Sequence, residues 1–106
     1  MTYMDIVTNF QNNPRDIHTV PTTNTEPRWF YTYVENGIVY VANAREHKHS
    51  SKLSAPRRIE PKQFDVMLDL YHRRCAGEAV SQIAVNITAC QVYWYGILAE
   101  VEMKRE

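Results

Sequence analysis

The spacing of hydrophobic residues at the start of the chain is that of a short helix. Apolar residues recur three and four positions apart, at Tyr3, Ile6, Val7 and Phe10. This spacing places them on one helical face and predicts a helix within residues 1–13, which Pro14 ends because proline cannot continue it. Residues 14–27 show no such period, and their three prolines and the stretch TVPTTNTEP predict an irregular connector.

Two runs rich in aromatic and β-branched residues follow, RWFYTYV and IVYVANA, on either side of Glu35-Asn36-Gly37. Such residues favour strands, and Asn-Gly favours a type I′ turn because both central residues need a positive φ. The predicted hairpin pairs Val34 with Val39, Tyr33 with Tyr40 and Tyr31 with Ala42. One face then carries Trp29, Tyr31, Tyr33, Tyr40 and Ala42, and the other carries Phe30, Thr32, Val34, Val39 and Val41. Since both faces are largely apolar, we expect one to pack on helices and the other to meet the N-terminal segment, a second subunit or a ligand.

The next segment is polar and basic and predicts a long loop over residues 45–60, with a short extended piece at Lys52–Ser54. Helical spacing returns after Pro61, a residue type favoured in the first turn of a helix. The pattern predicts a helix over about residues 61–75, and Gly77 is a natural stop. The apolar residues of this helix are Phe64, Met67, Leu68, Tyr71 and Cys75.

Two further helices are predicted. A short one covers about residues 79–86, with apolar Val80, Ile83 and Ala84. Thr88 and Gln91 have the spacing of a capping box, in which each side chain bonds the other residue's backbone N–H. They open a last helix over about residues 89–103, which is apolar around most of its circumference and is therefore expected to be central or to lie in an interface. Its apolar residues are Val92, Trp94, Tyr95, Ile97, Leu98, Ala99, Val101 and Met103.

This order of helices resembles the helix-turn-helix proteins. The resemblance is carried by VSQIAVNITACQVYWYGI, which starts at Val80, and extends over residues 64–99 when the preceding helix is included. In that family a small residue in the first helix lets the two helices cross closely, and Ala84 fits this position. Apolar residues flank the turn, and Ile83, Ile87 and Ala89 fit these positions. Two spaced apolar residues then pack the second helix back, here Trp94 and Ile97.

The chain departs from the helix-turn-helix pattern in two respects. Thr88 stands where the family usually has glycine, and residues 89–99 contain no lysine or arginine. Gln91 is therefore the only side chain of that helix of a type suited to reading bases. The segments YVENGIVYVANAREHKHSSK and VNITACQVYWYGIL are also similar, in general style, to small orphan proteins of bacterial mobile elements such as phages and integron cassettes. That likeness implies a compact stand-alone protein.

These elements predict an α+β fold, in which a β-hairpin, with or without a third strand, packs on a C-terminal three-helix unit of helix-turn-helix type. The length of 106 residues is that of one domain. Its segments are the N-terminal segment and connector (1–27), the hairpin (28–44), the basic loop (45–60) and the helical unit (61–104).

Charge is balanced overall but unevenly distributed. The chain has 12 basic and 12 acidic side chains, which excludes a general polyanion-coating protein. Residues 45–74 nevertheless contain eight basic and four acidic side chains, a net charge of +4. A nucleic-acid backbone is bound through such local concentrations of charge, although a solvated loop and the cationic end of a helix also account for them. The candidate nucleic-acid-binding residues are Arg45, Lys48, Lys52, Arg57, Arg58, Arg73, Arg74 and Gln91.

Aromatic residues suggest a partner surface. Two tryptophans, seven tyrosines and three phenylalanines are a heavy load for a core of this size, so we expect a homodimer. Tyrosines beside basic residues also offer stacking surfaces to single-stranded nucleic acid. The candidate ligand or partner surface consists of Trp29, Tyr31, Tyr33, Tyr40, Tyr93 and Trp94.

Catalytic, metal and membrane signals are weak or lacking in the sequence. No GxSxG, P-loop or GxGxxG motif is present, so we expect no enzyme and no cofactor. His47 and His49 supply two imidazoles where zinc needs three or four ligands, so no metal is expected. Cys75 and Cys90 lack a CxxC spacing and are expected to be reduced packing residues. With no secretory signal pattern and no apolar run near the roughly 20 residues that span a bilayer, a cytoplasmic protein without a membrane partner is expected.

Three functions remain open at this level. The first is a small regulator that binds DNA or RNA through the basic loop and the helix-turn-helix-like unit. The second is a homodimeric protein-interaction module that uses exposed aromatic residues. The third is a small-ligand-binding protein with an aromatic pocket at the dimer interface.

Overall fold

The computed structural model, which describes residues 1–104, has an α+β fold with a four-stranded antiparallel sheet and four α-helices. The strands, paired in chain order, are β1 (Arg15–His18), β2 (Trp29–Glu35), β3 (Ile38–Asn43) and β4 (Arg57–Ile59). The helices are α1 (Tyr3–Asn12), α2 (Phe64–Cys75), α3 (Ser81–Ile87) and α4 (Gln91–Lys104), and a 3-10 turn at Pro61–Gln63 leads into α2.

The predicted hairpin and its register are confirmed. Strands β2 and β3 pair Val34 with Val39, Tyr33 with Tyr40 and Tyr31 with Ala42. The turn residues Asn36 and Gly37 have φ angles of 52° and 75°, as a type I′ turn requires.

Two expectations about the flanking segments are wrong. Residues 14–27 are not irregular throughout, because β1 lies within them and pairs Ile17 with Phe30. The extended piece of the basic loop is β4, at Arg57–Ile59, and not Lys52–Ser54. Each of these short strands buries a single side chain, Ile17 or Ile59, so neither has enough alternation to be seen in the sequence. The hairpin is therefore the centre of a larger sheet.

The core lies between the sheet and the helices. Phe30, Val39 and Val41 point from the sheet into this layer and are fully buried. Helix α1 packs on β2 and β3, α4 packs on β1, and α2 packs on α4. The close approach of α4 depends on Gly96, where an added Cβ would lie 2.7 Å from the backbone oxygen of His18.

The helices differ from expectation mainly at the start of α4. That helix begins at Gln91, and the Thr88 hydroxyl accepts a hydrogen bond of 3.0 Å from the backbone N–H of Cys90 in place of the predicted capping box. Helix α2 ends before Gly77, whose φ of 93° fits its predicted role as a stop.

The cysteines have different environments. Both are free thiols, and Cys90 is buried as a packing residue should be, whereas Cys75 is exposed. Among the helices of residues 1–104, none is sufficiently long and apolar to cross a membrane.

Candidate nucleic-acid interface

The face of the sheet opposite the helices, here called the open face, carries a row of three tyrosine rings. Tyr31 and Tyr33 lie two residues apart on β2, and Tyr40 is the cross-strand partner of Tyr33 on β3. The Tyr31 and Tyr33 ring centroids are 5.7 Å apart with planes 28° from parallel, and those of Tyr33 and Tyr40 are 5.7 Å apart at 19°. The three rings therefore lie one after another with their planes nearly parallel. All three residues are half-buried, so part of each remains accessible to a partner.

Arginines lie at both ends of this tyrosine row. The Arg45 guanidinium lies over the Tyr31 ring, 4.0 Å from its centroid, in a cation–π contact. At the other end Arg58 is the cross-strand partner of Tyr40, which places it on the same face. Its Nε is 2.6 Å from a carboxylate oxygen of Glu60, so part of its charge is neutralised.

Arg45 reaches the sheet because Asp16 holds the loop that carries it. Asp16 lies on β1 opposite Tyr31, and its side chain is only 2% exposed. Its carboxylate accepts backbone N–H bonds of 2.9, 2.8 and 3.1 Å from Arg45, Glu46 and His47. It also lies 2.9 Å from the ring Nδ1 of His47. Three successive N–H groups around one carboxylate fix the path of residues 45–47 across the open face.

The charge of Asp16 is stabilised by the same contacts. Burial acts to raise the pKa of Asp16, but the hydrogen bonds from Arg45, His47 and Glu46 act against it. The net result is that the pKa of this carboxyl is lowered from its ordinary value. Asp16 is therefore ionised at neutral pH and keeps the loop in place.

Trp29 occupies the corner of the open face beside β1. The His47 ring stacks on it with centroids 3.6 Å apart and planes 8° from parallel. The His18 ring meets it edge-on, at 4.9 Å. One face of the Trp29 ring is thus occupied by His47, and Trp29 is half-buried like the three tyrosines of the row.

The remaining candidate cations are spread over the molecule. Lys48 is exposed and follows His47, whose ring stacks on Trp29 at the corner of the open face. Arg57 is exposed on β4 but is the cross-strand partner of Val41, which belongs to the opposite face. Arg73 pairs with Asp69 and Glu78. Arg45, Lys48 and Arg58 therefore lie near the aromatic surface, whereas Arg57 and Arg73 lie away from it.

The other predicted residues lie on the helical side. Arg74 lies over the Tyr95 ring and donates to the backbone oxygen of Val20. Lys52 is exposed and lies beside Tyr93 in a surface hollow. Gln91 is half-buried at the start of α4. Two predicted partner-surface residues of that helix belong to the core, because Trp94 is 0% and Tyr93 8% exposed.

Asp16 and His47 are the site residues that the sequence did not reveal. They lie 31 positions apart with no motif linking them, and the local sequence of β1 does not predict a strand. Acidic residues also limit the positive character of the open face, namely Glu35, Glu46 and Glu60. Among residues 1–104, no group of three or more histidine, cysteine, aspartate or glutamate side chains is placed to hold a metal ion.

The chain matched no protein-family profile, no curated protein sequence and no solved structure.

Proposed function

We propose that the protein binds single-stranded nucleic acid across the open face of its sheet. The observation that carries this proposal is the tyrosine row with an arginine at each end. Exposed rings on a sheet stack on bases, and flanking cations attract the phosphate groups between them. Arg45, Lys48 and Arg58 supply those cations, and Tyr31, Tyr33 and Tyr40 supply the rings.

Single strands fit this surface better than duplexes. The rings lie on a broad sheet, and a base can stack on them only when it is not already stacked inside a double helix. A duplex requires an element that enters a groove, such as a helix. Helix α4 is a poor candidate for that role because residues 93–99 in its middle are buried. The helix-turn-helix resemblance stays a prediction on which this proposal does not depend.

We expect the binding free energy to come from the stacking of a few bases and from a small number of ionic contacts. Stacking on an aromatic side chain contributes about 1–3 kcal/mol per base. With three cations near the rings, the slope of log affinity against log salt should be roughly −2 for a single strand. The neighbouring Glu35, Glu46 and Glu60 keep the slope from being steeper.

Fluorescence anisotropy of a labelled oligothymidine of about 15 nucleotides tests the proposal. The Tyr33→Thr variant removes the central ring and keeps a residue that favours strands. We expect it to weaken binding about tenfold or more, since it removes one stacking platform. Binding of equal strength by wild type and Tyr33→Thr would contradict the proposal.

A matched pair of charge variants controls for general electrostatics. Arg45→Gln removes the cation over Tyr31, whereas Lys62→Gln removes an exposed cation from the 3-10 turn that leads into α2. Both variants have the same net charge. The proposal predicts weaker binding for Arg45→Gln and little change for Lys62→Gln; equal losses would indicate nonspecific attraction.

Self-association through the same face is a second candidate function. The half-buried tyrosine row favours self-association through the open face. Pairing between the edges of two sheets is less favoured, because the edge strands β1 and β4 have only four and three residues. Light scattering after size-exclusion chromatography distinguishes the two. A dimer that Tyr33→Thr converts to monomer, and that oligothymidine does not dissociate, would favour self-association.

A further inference from the structure

A cavity of about 310 Å³ lies on the helical side, away from the tyrosine row. One wall is the connector between β1 and β2, with Val20 and Pro21, and the other is the first turn of α4. The aromatic part of its lining is Tyr93 and Tyr95, and Val92 beside them is 47% exposed. The volume is at the lower end of the range of small-molecule sites.

The cavity continues into a polar hollow of about 290 Å³. The two share Arg28, Ser51 and Tyr93, and the hollow adds Lys52. The apolar space is thus joined to a region with two cationic side chains. This arrangement suits a molecule that has an apolar body and an anionic end.

Arg74 adds a third cation at the cavity wall. Its guanidinium lies 4.5 Å from the centroid of the Tyr95 ring and donates one hydrogen bond to the backbone oxygen of Val20. No described carboxylate lies within ion-pair distance of Arg28, Lys52 or Arg74. Glu26 also lines the cavity, so the cavity and the hollow together carry three cationic side chains and one carboxylate. The net charge around the cavity therefore favours an anion.

Tyr95 also leaves a hydrogen bond unmade. Its hydroxyl oxygen is buried and has no hydrogen-bond partner among the described residues. Burial raises the pKa of Tyr95, although Arg74 acts in the opposite direction, so the hydroxyl is protonated at neutral pH and can donate. Because this oxygen has almost no accessible surface, Tyr95 contributes its ring, and not its hydroxyl, to the wall of the cavity.

We propose that this cavity binds a small aromatic carboxylate, with the ring between the connector and α4 and the carboxylate at Arg28 and Lys52. The proposal does not depend on nucleic-acid binding, because the cavity and the tyrosine row share no residue.

Calorimetric titration with 2-naphthoate as the probe tests the ligand class. Its neutral amide, 2-naphthamide, has nearly the same shape without the charge, and acetate has the charge without the ring. We expect 2-naphthoate to bind at least about tenfold more tightly than either, since it alone uses both halves of the site. Equal affinity for the acid and the amide, or no binding of 2-naphthoate at millimolar concentration, would overturn the proposal.

Variants then locate the binding site. Arg28→Gln should weaken 2-naphthoate about tenfold, because it removes a charged hydrogen-bond donor. Its control, Arg57→Gln, lies on β4 at the opposite edge of the sheet and should leave binding unchanged. If both variants bind 2-naphthoate as tightly as the wild type, the assigned site is wrong.

Two further variants examine the cavity itself. Val92→Trp fills the space between the connector and α4 and should abolish binding. Tyr95→Phe removes a buried hydroxyl that has no partner and does not face the cavity, so binding should change little while the melting temperature of the free protein stays the same or rises. Unchanged affinity in Val92→Trp, checked to be folded by circular dichroism, would also overturn the assignment.

Discussion

Asp16 is the residue on which the position of Arg45 depends. Its carboxylate collects three backbone N–H groups and the His47 ring, although it is 29 to 31 positions away from them in the chain. Because the folded protein lowers the pKa of Asp16, ionisation of this group contributes to stability. The contribution is complete above the ordinary carboxyl pKa, near 4, and is lost as the pH falls through the lowered value.

The Asp16→Asn variant tests this contribution. At pH 7 we expect the free energy of unfolding to fall by about 1–3 kcal/mol, since the amide cannot accept the same set of bonds. In acid, once Asp16 of the wild type is protonated, the difference between the two proteins should shrink. Urea denaturation at both pH values measures it, and a difference of equal size at both would contradict this role.

The hydroxyl of Tyr3 joins α1 to two strands. It accepts a hydrogen bond of 2.9 Å from the backbone N–H of Val39 and donates one of 2.6 Å to the backbone oxygen of Ile59. These two residues are cross-strand partners in β3 and β4. The hydroxyl thus serves as a bridge between the strands at this position.

Tyr3→Phe keeps the ring and removes the bridge. We expect the free energy of unfolding to fall by about 1–3 kcal/mol, because the N–H of the fully buried Val39 is left without a partner. Tyr40→Phe is the control: its hydroxyl is on the open face and makes no described hydrogen bond, so its effect should stay within about 0.5 kcal/mol. Similar denaturation midpoints for both variants would show that the bridge is unimportant.

At the level of elements, the hairpin was predictable and its neighbours were not. Alternation on both sides of Asn36-Gly37 specifies the strands, the turn and the register together, since a two-residue loop permits only one pairing. Strands β1 and β4 are held by their pairing with β2 and β3, and so depend on contacts that a local pattern does not contain. The register of the hairpin is sufficient to predict the tyrosine row. The position of Arg45 could not be predicted, because it depends on the contact between Asp16 and the loop.

The packing of α4 on the sheet depends on Gly96. At an exposed position within a helix, replacing glycine by alanine should stabilise the protein by about 1 kcal/mol. At Gly96 the new Cβ would lie 2.7 Å from the His18 backbone oxygen and 3.0 Å from the Phe30 ring. We expect Gly96→Ala to destabilise by about 1–3 kcal/mol in urea denaturation, because the overpacking outweighs the helix propensity. A more stable Gly96→Ala protein would mean that α4 can move away from β1.

The alternation of β4 provides an internal control for the binding surface. Arg57 and Arg58 are adjacent and both exposed, yet they belong to opposite faces of the sheet. We therefore expect Arg58→Gln to weaken oligothymidine binding in the anisotropy titration and Arg57→Gln to weaken it less. The reverse order would place the nucleic acid elsewhere on the molecule.

The molecule as a whole has two sides of different character. The helical side holds the core and the apolar cavity, and the open face holds the tyrosine row. The sequence predicts a homodimer because the chain has many aromatic residues for its size. Three of these residues, Tyr93, Trp94 and Tyr95, are buried within a single chain and need no partner to cover them. The homodimer stays a prediction, and the open face is the surface through which the two chains would associate.

The most direct test of the central claim compares wild type and Tyr33→Thr for binding of a single strand and of a duplex of the same sequence at low and rising salt. We predict that the wild type prefers the single strand, that its affinity falls with a slope of roughly −2 in log salt, and that Tyr33→Thr loses the preference. Equal binding of single strand and duplex by both proteins, or no binding of either at low salt, would contradict the assignment of the open face to nucleic acid.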